Sequence, residues 1–137
     1  MICLDTNVII AILAGHASQV RSRVEEALVN GQALATSSVV LFELWYGAAK
    51  SARREGNAKK IKELLDSPIH ILDFDAADAA EAGDIRAVLR RKGTPIGPYD
   101  VLIAAQARRR DALLVTANTR EFRRVPGLNV EDWSESI

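Results

Sequence analysis

The sequence predicts an α/β fold in which a mostly parallel sheet of four to five short strands is flanked by helices. Short apolar runs such as 2–4 and 112–116 are nearly continuous, which is typical of parallel strands buried on both faces. Between these runs, apolar residues recur at helical spacing, as Val24, Ala27 and Leu28 do. Helices that alternate with strands supply the crossovers that a parallel sheet requires, so a single α/β domain is expected.

The first predicted strand is 2–4, and a helix follows it directly. Thr6 or Asp5 lies near the N-terminus of that helix, since both residue types cap helices by accepting a hydrogen bond from a free backbone N–H. A second helix is predicted over 17–30, because its apolar residues keep helical spacing until an Asn-Gly pair ends it.

The middle of the chain is predicted to continue this alternation. The apolar run 33–36 is the second strand, and one of two adjacent serines caps a helix over about 38–51. Another helix covers about 54–66 and ends before Pro68, because the residue preceding a proline disfavours helical backbone. Residues 69–72 alternate in the manner of a strand.

The last part of the chain is predicted to hold two helices and two strands. Asp75 and Asp78 are spaced as in a capping box, so a helix is expected from them to about residue 92. Residues 93–98 contain two glycines and two prolines and form a loop, and a helix follows over about 99–110. The last two predicted strands are the apolar runs 112–116 and 128–130.

The composition restricts the class of protein. The chain has 137 residues, 48% hydrophobic and 26% charged, which suits one soluble domain over 1–137 with a tail from about 131. No apolar stretch reaches the roughly 18 residues that span a bilayer, and no basic segment precedes the first apolar run as in a secretory signal. Cys3 is interpreted as a small core residue. A domain without internal disulfides is expected in the cytoplasm.

Charge is balanced overall but unevenly distributed. The formal net charge is zero, from 18 basic and 18 acidic residues. The segment from Glu63 to Asp84 contains acidic residues and no lysine or arginine, whereas the segment from Arg86 to Arg124 is strongly basic. The basic segment is interpreted either as an attractor of phosphate groups or as a set of solvated helix faces.

Oxygen-rich side chains lie where predicted strands give way to helices. Asp5 follows the first strand, Glu43 lies in the first turns of the helix after the second strand, and Asp100 lies at the start of its helix. Because ligands of open parallel sheets bind outside the carboxyl ends of the strands, these side chains are expected to converge there. A further group follows the strand 112–116 and comprises Thr116, Asn118 and Glu121.

Converging carboxylates raise one another's pKa unless a cation lies among them. Oxygen ligands favour Mg²⁺ or Mn²⁺, and the isolated His16 and His70 provide no ligand set for zinc. Taken separately, Asp5 and Asp100 are equally explained as helix-terminal carboxylates, and Glu121 as a surface residue. A metal-dependent phosphodiesterase is one interpretation, and individual helix capping is the other.

Four stretches carry a family resemblance: "LDTNVII", "SSVVLFELWYGAAKS", "GDIRAVLRRKGTPIGPYDVLIAAQA" and "LLVTANTREFRRVPGLNVEDW". Together they resemble PIN-domain proteins of the VapC toxin family over nearly the whole chain. The resemblance implies a single PIN-like domain and an endoribonuclease dependent on Mg²⁺, or on Mn²⁺ in its place. It also implies hydrolysis that leaves 5′-phosphate and 3′-hydroxyl ends.

The resemblance implies roles for individual residues. Asp5 and Asp100 would be the principal metal ligands. Glu43 would be the third catalytic acid, binding metal directly or through water, or orienting the attacking water. The polar groups that would position carboxylates, water or phosphate are Thr6, Asn7 and Thr116.

One position departs from the family pattern. Many PIN domains have a fourth acidic residue shortly after the threonine of the last motif, where this chain has Asn118. Glu121, three residues later, is the candidate to supply that charge. The departure leaves a two-metal site in doubt and favours a single tightly held Mg²⁺.

Several arginines are candidates for substrate binding. Arg86 would contact substrate or a site carboxylate, or form a structural salt bridge, which is an equal alternative. The candidates for guiding an RNA backbone are Arg108, Arg109, Arg110, Arg120, Arg123 and Arg124.

The "NTREF", "RVPGL" and "EDW" segments resemble the VapC branch associated with cleavage of initiator tRNA in the anticodon stem-loop. That cleavage would inhibit translation. The alternatives are a PIN nuclease that cuts mRNA, rRNA or DNA, and a catalytically weak module that binds antitoxin and operator. The implied partners are a VapB-type antitoxin, a second copy of the chain, and operator DNA through the antitoxin alone. The apolar residues of segment 38–66 are expected to serve part of this contact.

Overall fold

The computed structural model describes residues 1–15 and 18–134. In this part of the chain, five parallel strands form one sheet with the order β3-β2-β1-β4-β5, and seven helices surround it. The strands are β1 Ile2–Leu4, β2 Leu34–Ser37, β3 His70–Leu72, β4 Leu113–Val115 and β5 Asn129–Glu131. The helices are α1 Thr6–Ala14, α2 Ser18–Val29, α3 Ser38–Lys50, α4 Arg54–Leu65, α5 Ala76–Arg91, α6 Pro98–Arg109 and α7 Thr119–Phe122.

The predicted α/β class and the predicted strands are confirmed, with boundaries that differ by one or two residues. Helix α6 begins at Pro98 rather than Tyr99, because proline's fixed φ suits the first helical position. Helix α7 was not predicted, since its four residues are too few to show helical periodicity. The predicted start of α2 at residue 17 lies outside the described residues, as do His16 and 135–137.

Strand β1 occupies the centre of the sheet. Its first residue, Ile2, is paired with Leu34 of β2 on one side and with Leu113 of β4 on the other. From β1 the chain adds β2 and β3 in one direction and later adds β4 and β5 in the other. The direction of winding therefore reverses between β1 and β4, which is where open parallel sheets bind ligands.

The helix caps predicted from the sequence are confirmed and fix where α1, α3 and α5 begin. Asp5 caps α1 and accepts a hydrogen bond from the backbone N–H of Thr6 at 2.8 Å. Ser37 caps α3. Asp75 and Asp78 form the complete capping box at the start of α5. These caps satisfy backbone N–H groups that have no partner inside the helix.

The core lies on both faces of the sheet. The largest fully buried apolar side chains include Leu4, Ile9, Ile85, Leu114 and Phe122. Cys3 is part of this core, and burial raises the pKa of its thiol to about 11, so the thiol stays protonated and inert. The described residues contain no helix with the length and apolarity to cross a membrane.

The end of the chain packs on the domain as far as it is described. Glu131 belongs to β5 and accepts a hydrogen bond from Arg23 at 3.0 Å. Trp133 is buried, and the guanidinium of Arg23 lies 5.1 Å from the centre of its ring. These contacts join β5 and the following residues to α2.

Asp78 is a fully buried carboxylate that fastens α5 to α6. It accepts hydrogen bonds from Arg109 Nε at 2.7 Å, from Arg110 Nη1 at 2.9 Å and from Gln106 Nε2 at 3.2 Å. Burial by itself would raise its pKa, but the two arginines, the backbone N–H of Asp75 and Gln106 outweigh burial and hold that pKa well below its usual value. Asp78 is therefore charged at neutral pH and completes a paired network.

Replacing Asp78 with alanine should lower the free energy of unfolding by about 3 kcal/mol, because the guanidinium groups of α6 would lose their buried partner. Asp75→Ala, which removes an exposed cap of the same helix together with its exposed ion pair to Arg109, should cost only about 1 kcal/mol. Urea denaturation measures both values. Equal losses in the two variants would contradict the role given to Asp78.

Candidate active site

The carboxylate of Asp5 lies at the carboxyl end of β1 and is only 3% exposed. Its Oδ2 accepts hydrogen bonds from Thr116 Oγ1 at 2.7 Å and from Asn7 Nδ2 at 3.2 Å. Burial raises the pKa of Asp5, and the hydrogen bonds from Thr116, from the backbone N–H of Thr6 and from Asn7 partly offset that rise. Asp5 is thus held in one orientation by groups from two segments of the chain.

Asn7 and Thr116 connect the ends of the adjacent strands β1 and β4. Asn7 Oδ1 accepts a hydrogen bond from the backbone N–H of Ala117 at 3.1 Å. Thr116 Oγ1 accepts one from the backbone N–H of Asn118 at 3.0 Å. The loop after β4 is therefore fastened to the first turn of α1, directly beside Asp5.

Glu43 reaches the same place from α3. Thr6 Oγ1 donates a hydrogen bond to Glu43 Oε1 at 3.0 Å, and the Glu43 side chain is half-buried. This bond leaves Glu43 Oε2 without a partner among the described residues. The hydroxyl of Thr6 therefore orients Glu43, while the backbone N–H of Thr6 helps to hold Asp5.

Asp100 lies in the first turn of α6 and is partly buried. Its pKa is raised to about 6, first by burial and then by the negative charges of Asp5, Glu121 and Glu43. The proximity of the Glu121 carboxyl group raises it further. Four acidic side chains from four separate segments thus converge at the reversal point of the sheet.

Asn118 and Glu121 belong to this cluster through helix α7. Asn118 Nδ2 donates a hydrogen bond to Glu121 Oε2 at 3.0 Å. The amide therefore orients the Glu121 carboxylate, and Glu121 supplies negative charge next to Asp100. Helix α7 is what turns Glu121 back toward the cluster.

Gly97 is a residue that sequence reasoning missed. It precedes α6, and a Cβ at this position would lie 3.0 Å from Asp100 Oδ2. A side chain there would press on the carboxylate, so glycine leaves Asp100 room to keep its orientation. The sequence signals this only by a glycine three residues before a candidate acid, and glycine is common in any loop that precedes a helix.

The donor set fits a hard divalent cation. It offers carboxylate oxygens, and it is destabilised by mutual repulsion that bound positive charge would relieve. Within residues 1–15 and 18–134, no three His, Cys, Asp or Glu side chains already enclose a position for an ion. Water or substrate oxygens would therefore complete the coordination, as is usual for Mg²⁺. The described His70 is exposed on β3, away from the site.

Three arginines predicted to guide RNA lie at the other end of α6. Arg108 donates to Glu81, to Asp84 and to a backbone carbonyl, and Arg109 and Arg110 pair with Asp78. At about 1.5 Å per helical residue, they lie roughly 12–15 Å along the helix from Asp100. The structure uses these side chains to hold α5 and α6 together and does not bring them to the carboxylates.

The remaining arginines lie closer to the loops around the site. Arg120 is exposed on α7 beside Glu121, and Arg123 is exposed after it. Arg124 donates a hydrogen bond to the carbonyl of Pro95 at 2.9 Å. Arg86 is exposed on α5 beside the loop that precedes α6, and no ion pair of Arg86 occurs within residues 1–15 and 18–134.

Known proteins are similar to this chain in sequence and in fold. A family model for the PIN domain matches residues 2–128. The tRNA(fMet)-specific endonuclease VapC of Shigella flexneri is 47% identical, and the alignment covers 96% of each chain. The enzyme of the same name from Salmonella typhimurium is 42% identical, covering 95% of this chain and 96% of the relative. A chain of the Rickettsia felis VapBC2 complex bound to promoter DNA superposes with a TM-score of 0.89 at 38% identity, covering 97% of this chain and 99% of that one. This chain therefore belongs to the PIN-domain family and, within it, to the VapC proteins.

Proposed function

We propose that this chain is an endoribonuclease toxin of a VapBC-type pair, which hydrolyses RNA phosphodiesters with Mg²⁺, or with Mn²⁺ in its place. Its substrate is initiator tRNA, cut in the anticodon stem-loop so that translation is inhibited. The observation that carries the proposal is the convergence of Asp5, Glu43, Asp100 and Glu121. Burial and the charges of the other three carboxylates together raise the Asp100 pKa to about 6. Such a cluster destabilises the protein unless it binds a cation, and PIN nucleases are generally dependent on divalent metal.

Asp5 and Asp100 would hold the metal as its principal protein ligands. When bound, a divalent cation lowers the pKa of coordinated water and offsets the negative charge that develops on a phosphodiester. Thr116 and Asn7 orient Asp5 through the hydrogen bonds to its Oδ2. The absence of a Cβ at Gly97 leaves Asp100 free to keep its orientation.

Glu43 would orient the attacking water. Its Oε1 accepts the hydrogen bond from Thr6, which leaves Oε2 to accept a hydrogen bond from water and then the proton that water loses. Hydrolysis by water requires no participation of the RNA 2′-hydroxyl. The products would therefore carry 5′-phosphate and 3′-hydroxyl ends.

Glu121 would supply the fourth negative charge of the site. Asn118 orients Glu121 through a hydrogen bond of 3.0 Å, and the Glu121 charge acts on Asp100. Asn118 itself contributes no charge. One tightly held metal ion, with a second that depends on substrate oxygens, fits this arrangement.

The choice of initiator tRNA rests on the two relatives named tRNA(fMet)-specific endonucleases at 47% and 42% identity. Structured RNA is recognised through shape and splayed loop bases. Cleavage of mRNA, rRNA or DNA would use the same carboxylates. Only cleavage assays with different substrates distinguish these activities from cleavage of tRNA. A binding module without catalysis is disfavoured, because Asp5, Glu43 and Asp100 are all present and oriented.

The proposed partners are inferred from another relative, whose structure is solved. The Rickettsia felis structure is a VapBC2 pair on promoter DNA, and we propose an analogous antitoxin for this chain, through which it would meet operator DNA. A homodimer would bind the antitoxin's C-terminal segment in a groove of each subunit, and an antitoxin arginine would compete with metal for the carboxylates. We propose that the protein acts in the cytoplasm, where it would meet a tRNA substrate.

Asp100→Asn and Asp5→Asn should each lower RNA cleavage by more than about 100-fold while leaving the fold intact. The loss of a ligand should exceed the roughly 10–100-fold that removal of a ligand's hydrogen-bonding partner costs. Gel-based cleavage of purified tRNA at fixed Mg²⁺ measures the effect, and circular dichroism checks the fold. Asp73→Asn, which changes an exposed carboxylate outside the cluster, is the matched control. Unchanged cleavage by Asp100→Asn would contradict the proposal.

Brief induction of the toxin should create one dominant new RNA 5′ end, located in the anticodon stem-loop of initiator tRNA. Sequencing of 5′-phosphorylated RNA ends measures it, with Asp100→Asn induced in parallel as the control. Dominant cuts in mRNA or rRNA would support the proposed nuclease activity and contradict initiator tRNA as its substrate. Cuts of equal abundance with Asp100→Asn would implicate a contaminating enzyme.

Without metal, the protein should lose stability as the pH rises from about 4 to 7. The Asp100 pKa of about 6 lies above the unfolded value, so its contribution is complete below the unfolded pKa and is lost as the pH passes the folded one. The loss should be about 1–2 kcal/mol, discounted for partial exposure.

Thermal unfolding in a chelator across this pH range measures the loss. Asp100→Asn should show a smaller pH dependence than wild type and a smaller rise in Tm on addition of Mg²⁺. A wild-type Tm that is insensitive to both pH and Mg²⁺ would show that the four carboxylates do not act as a coupled cation site.

A further inference from the structure

An open groove with aromatic walls adjoins the four carboxylates. It is called the aromatic groove here, and its lining residues include Thr6, Phe42, Glu43, Tyr46, Lys50 and Tyr99. Thr6 and Glu43 belong to both the groove and the acidic cluster. Whatever occupies the groove therefore lies next to the reacting atoms of the proposed substrate.

The rings of this groove do not serve the core. Phe42 is 52% exposed, Tyr46 is 60% exposed and Tyr99 is 46% exposed, whereas Phe122 is fully buried. Large exposed aromatic side chains that lie side by side mark an interaction site rather than a packing element. Flat exposed faces are what a stacked base requires.

Phe42 and Tyr99 form a pair at the edge of the acidic cluster. Their ring centroids are 5.5 Å apart and the ring planes are inclined by 58°. Phe42 immediately precedes Glu43 on α3, and Tyr99 immediately precedes Asp100 on α6. The two helices that present the acids therefore also present the rings, and the two sets are rigidly connected.

Lys50 adds positive charge to the same groove. Its Nζ lies 4.8 Å from the centre of the Tyr46 ring, over which it is held by a cation–π contact. Lys50 is in the last turn of α3, about 12 Å along the helix from Phe42 at about 1.5 Å per residue. A groove with aromatic faces and a lysine is the combination that binds single-stranded nucleic acid.

We infer that the aromatic groove binds single-stranded RNA, with an unpaired base near the scissile phosphate stacked on the Phe42–Tyr99 pair and a backbone phosphate next to Lys50. This rests on the proposed nuclease function, because the cluster beside the groove defines where the phosphate reacts. Stacking accepts any base, so the groove provides affinity and placement for an unpaired nucleotide. It would thereby favour loops over duplex, whose bases are not available for stacking on protein.

A short single-stranded RNA that carries 2-aminopurine at successive positions tests the stacking. The full-length protein is used in a chelator, so that binding is measured without cleavage. Wild type should quench the fluorescence at one or two positions. Phe42→Leu and Tyr99→Leu should remove that quenching and weaken binding by about 10-fold, because leucine keeps apolar bulk without an aromatic face.

Two further variants separate stacking from damage to the fold. Trp45→Leu removes an exposed ring of α3 that does not line the groove, and it should quench and bind as wild type does. Phe42→Trp should restore quenching, since tryptophan also presents a stacking face. If Phe42→Leu does not fold, quenching that persists in Phe42→Trp and is lost in Tyr99→Leu still shows that the base stacks on this pair.

The role of Lys50 is tested through salt. Lys50→Met should reduce the slope of log affinity against log salt by about 0.7, the value for one phosphate contact on a single strand. Lys62→Met, at an exposed lysine of α4 outside the groove, should leave the slope unchanged. An unchanged slope with Lys50→Met would remove Lys50 from the RNA contact.

The inference is overturned if Phe42→Leu and Tyr99→Leu bind and quench as wild type does. It is also overturned if these variants lose a co-expressed antitoxin while RNA binding is unaltered, because the groove would then belong to that protein. Failure of the nuclease proposal is a separate result, since it would appear as cleavage that does not depend on Asp100. RNA binding in chelator is measured whether or not the protein cleaves.

Discussion

The buried carboxylate of Asp5 is the constraint around which this domain is arranged. A charge at the end of the central strand is unfavourable unless polar groups surround it, and the chain supplies Thr116 and Asn7 from the two strand ends that flank the reversal point. The same groups accept hydrogen bonds from the backbone after β4, so the arrangement that satisfies Asp5 also shapes the loop beside it. Stability and site geometry therefore depend on one set of contacts.

The site is assembled at a cost in stability to the metal-free protein. Asp100, Glu43 and Glu121 are brought to Asp5 by three different helices, and burial together with their mutual repulsion raises the Asp100 pKa. The rest of the fold compensates elsewhere, most clearly at Asp78, where a buried carboxylate is fully paired and its pKa is lowered. The pKa values of Asp78 and Asp100 shift in opposite directions because Asp78 faces arginines, whereas Asp100 is partly buried and faces carboxylates.

The ion pairs between α5 and α6 also change the interpretation of the basic residues. The sequence predicts that the arginines at the end of α6 guide RNA, but the acidic face of α5 pairs with them and makes them part of the helix interface. The uneven charge of the sequence thus reflects two complementary helices as much as a surface for phosphate. The exposed side chains in the groove beside the carboxylates include aromatic rings and Lys50, which suit a nucleotide's base and phosphate.

The sequence by itself determined the fold class, the strands, most helix boundaries and the caps, because continuous apolar runs, helical spacing and capping residues act locally. It also singled out Asp5, Glu43 and Asp100, since each follows a strand or opens a helix of a parallel sheet. Only the tertiary structure decided the rest. The clearance at Gly97 is local, but the sequence does not reveal it because glycine is common in loops that precede helices. The pairing of Arg108 to Arg110 with α5, the approach of Glu121 to Asp100 and the meeting of the groove aromatics all join residues far apart in the chain. No local pattern reports such contacts, because they arise only when the strand order brings the helices together.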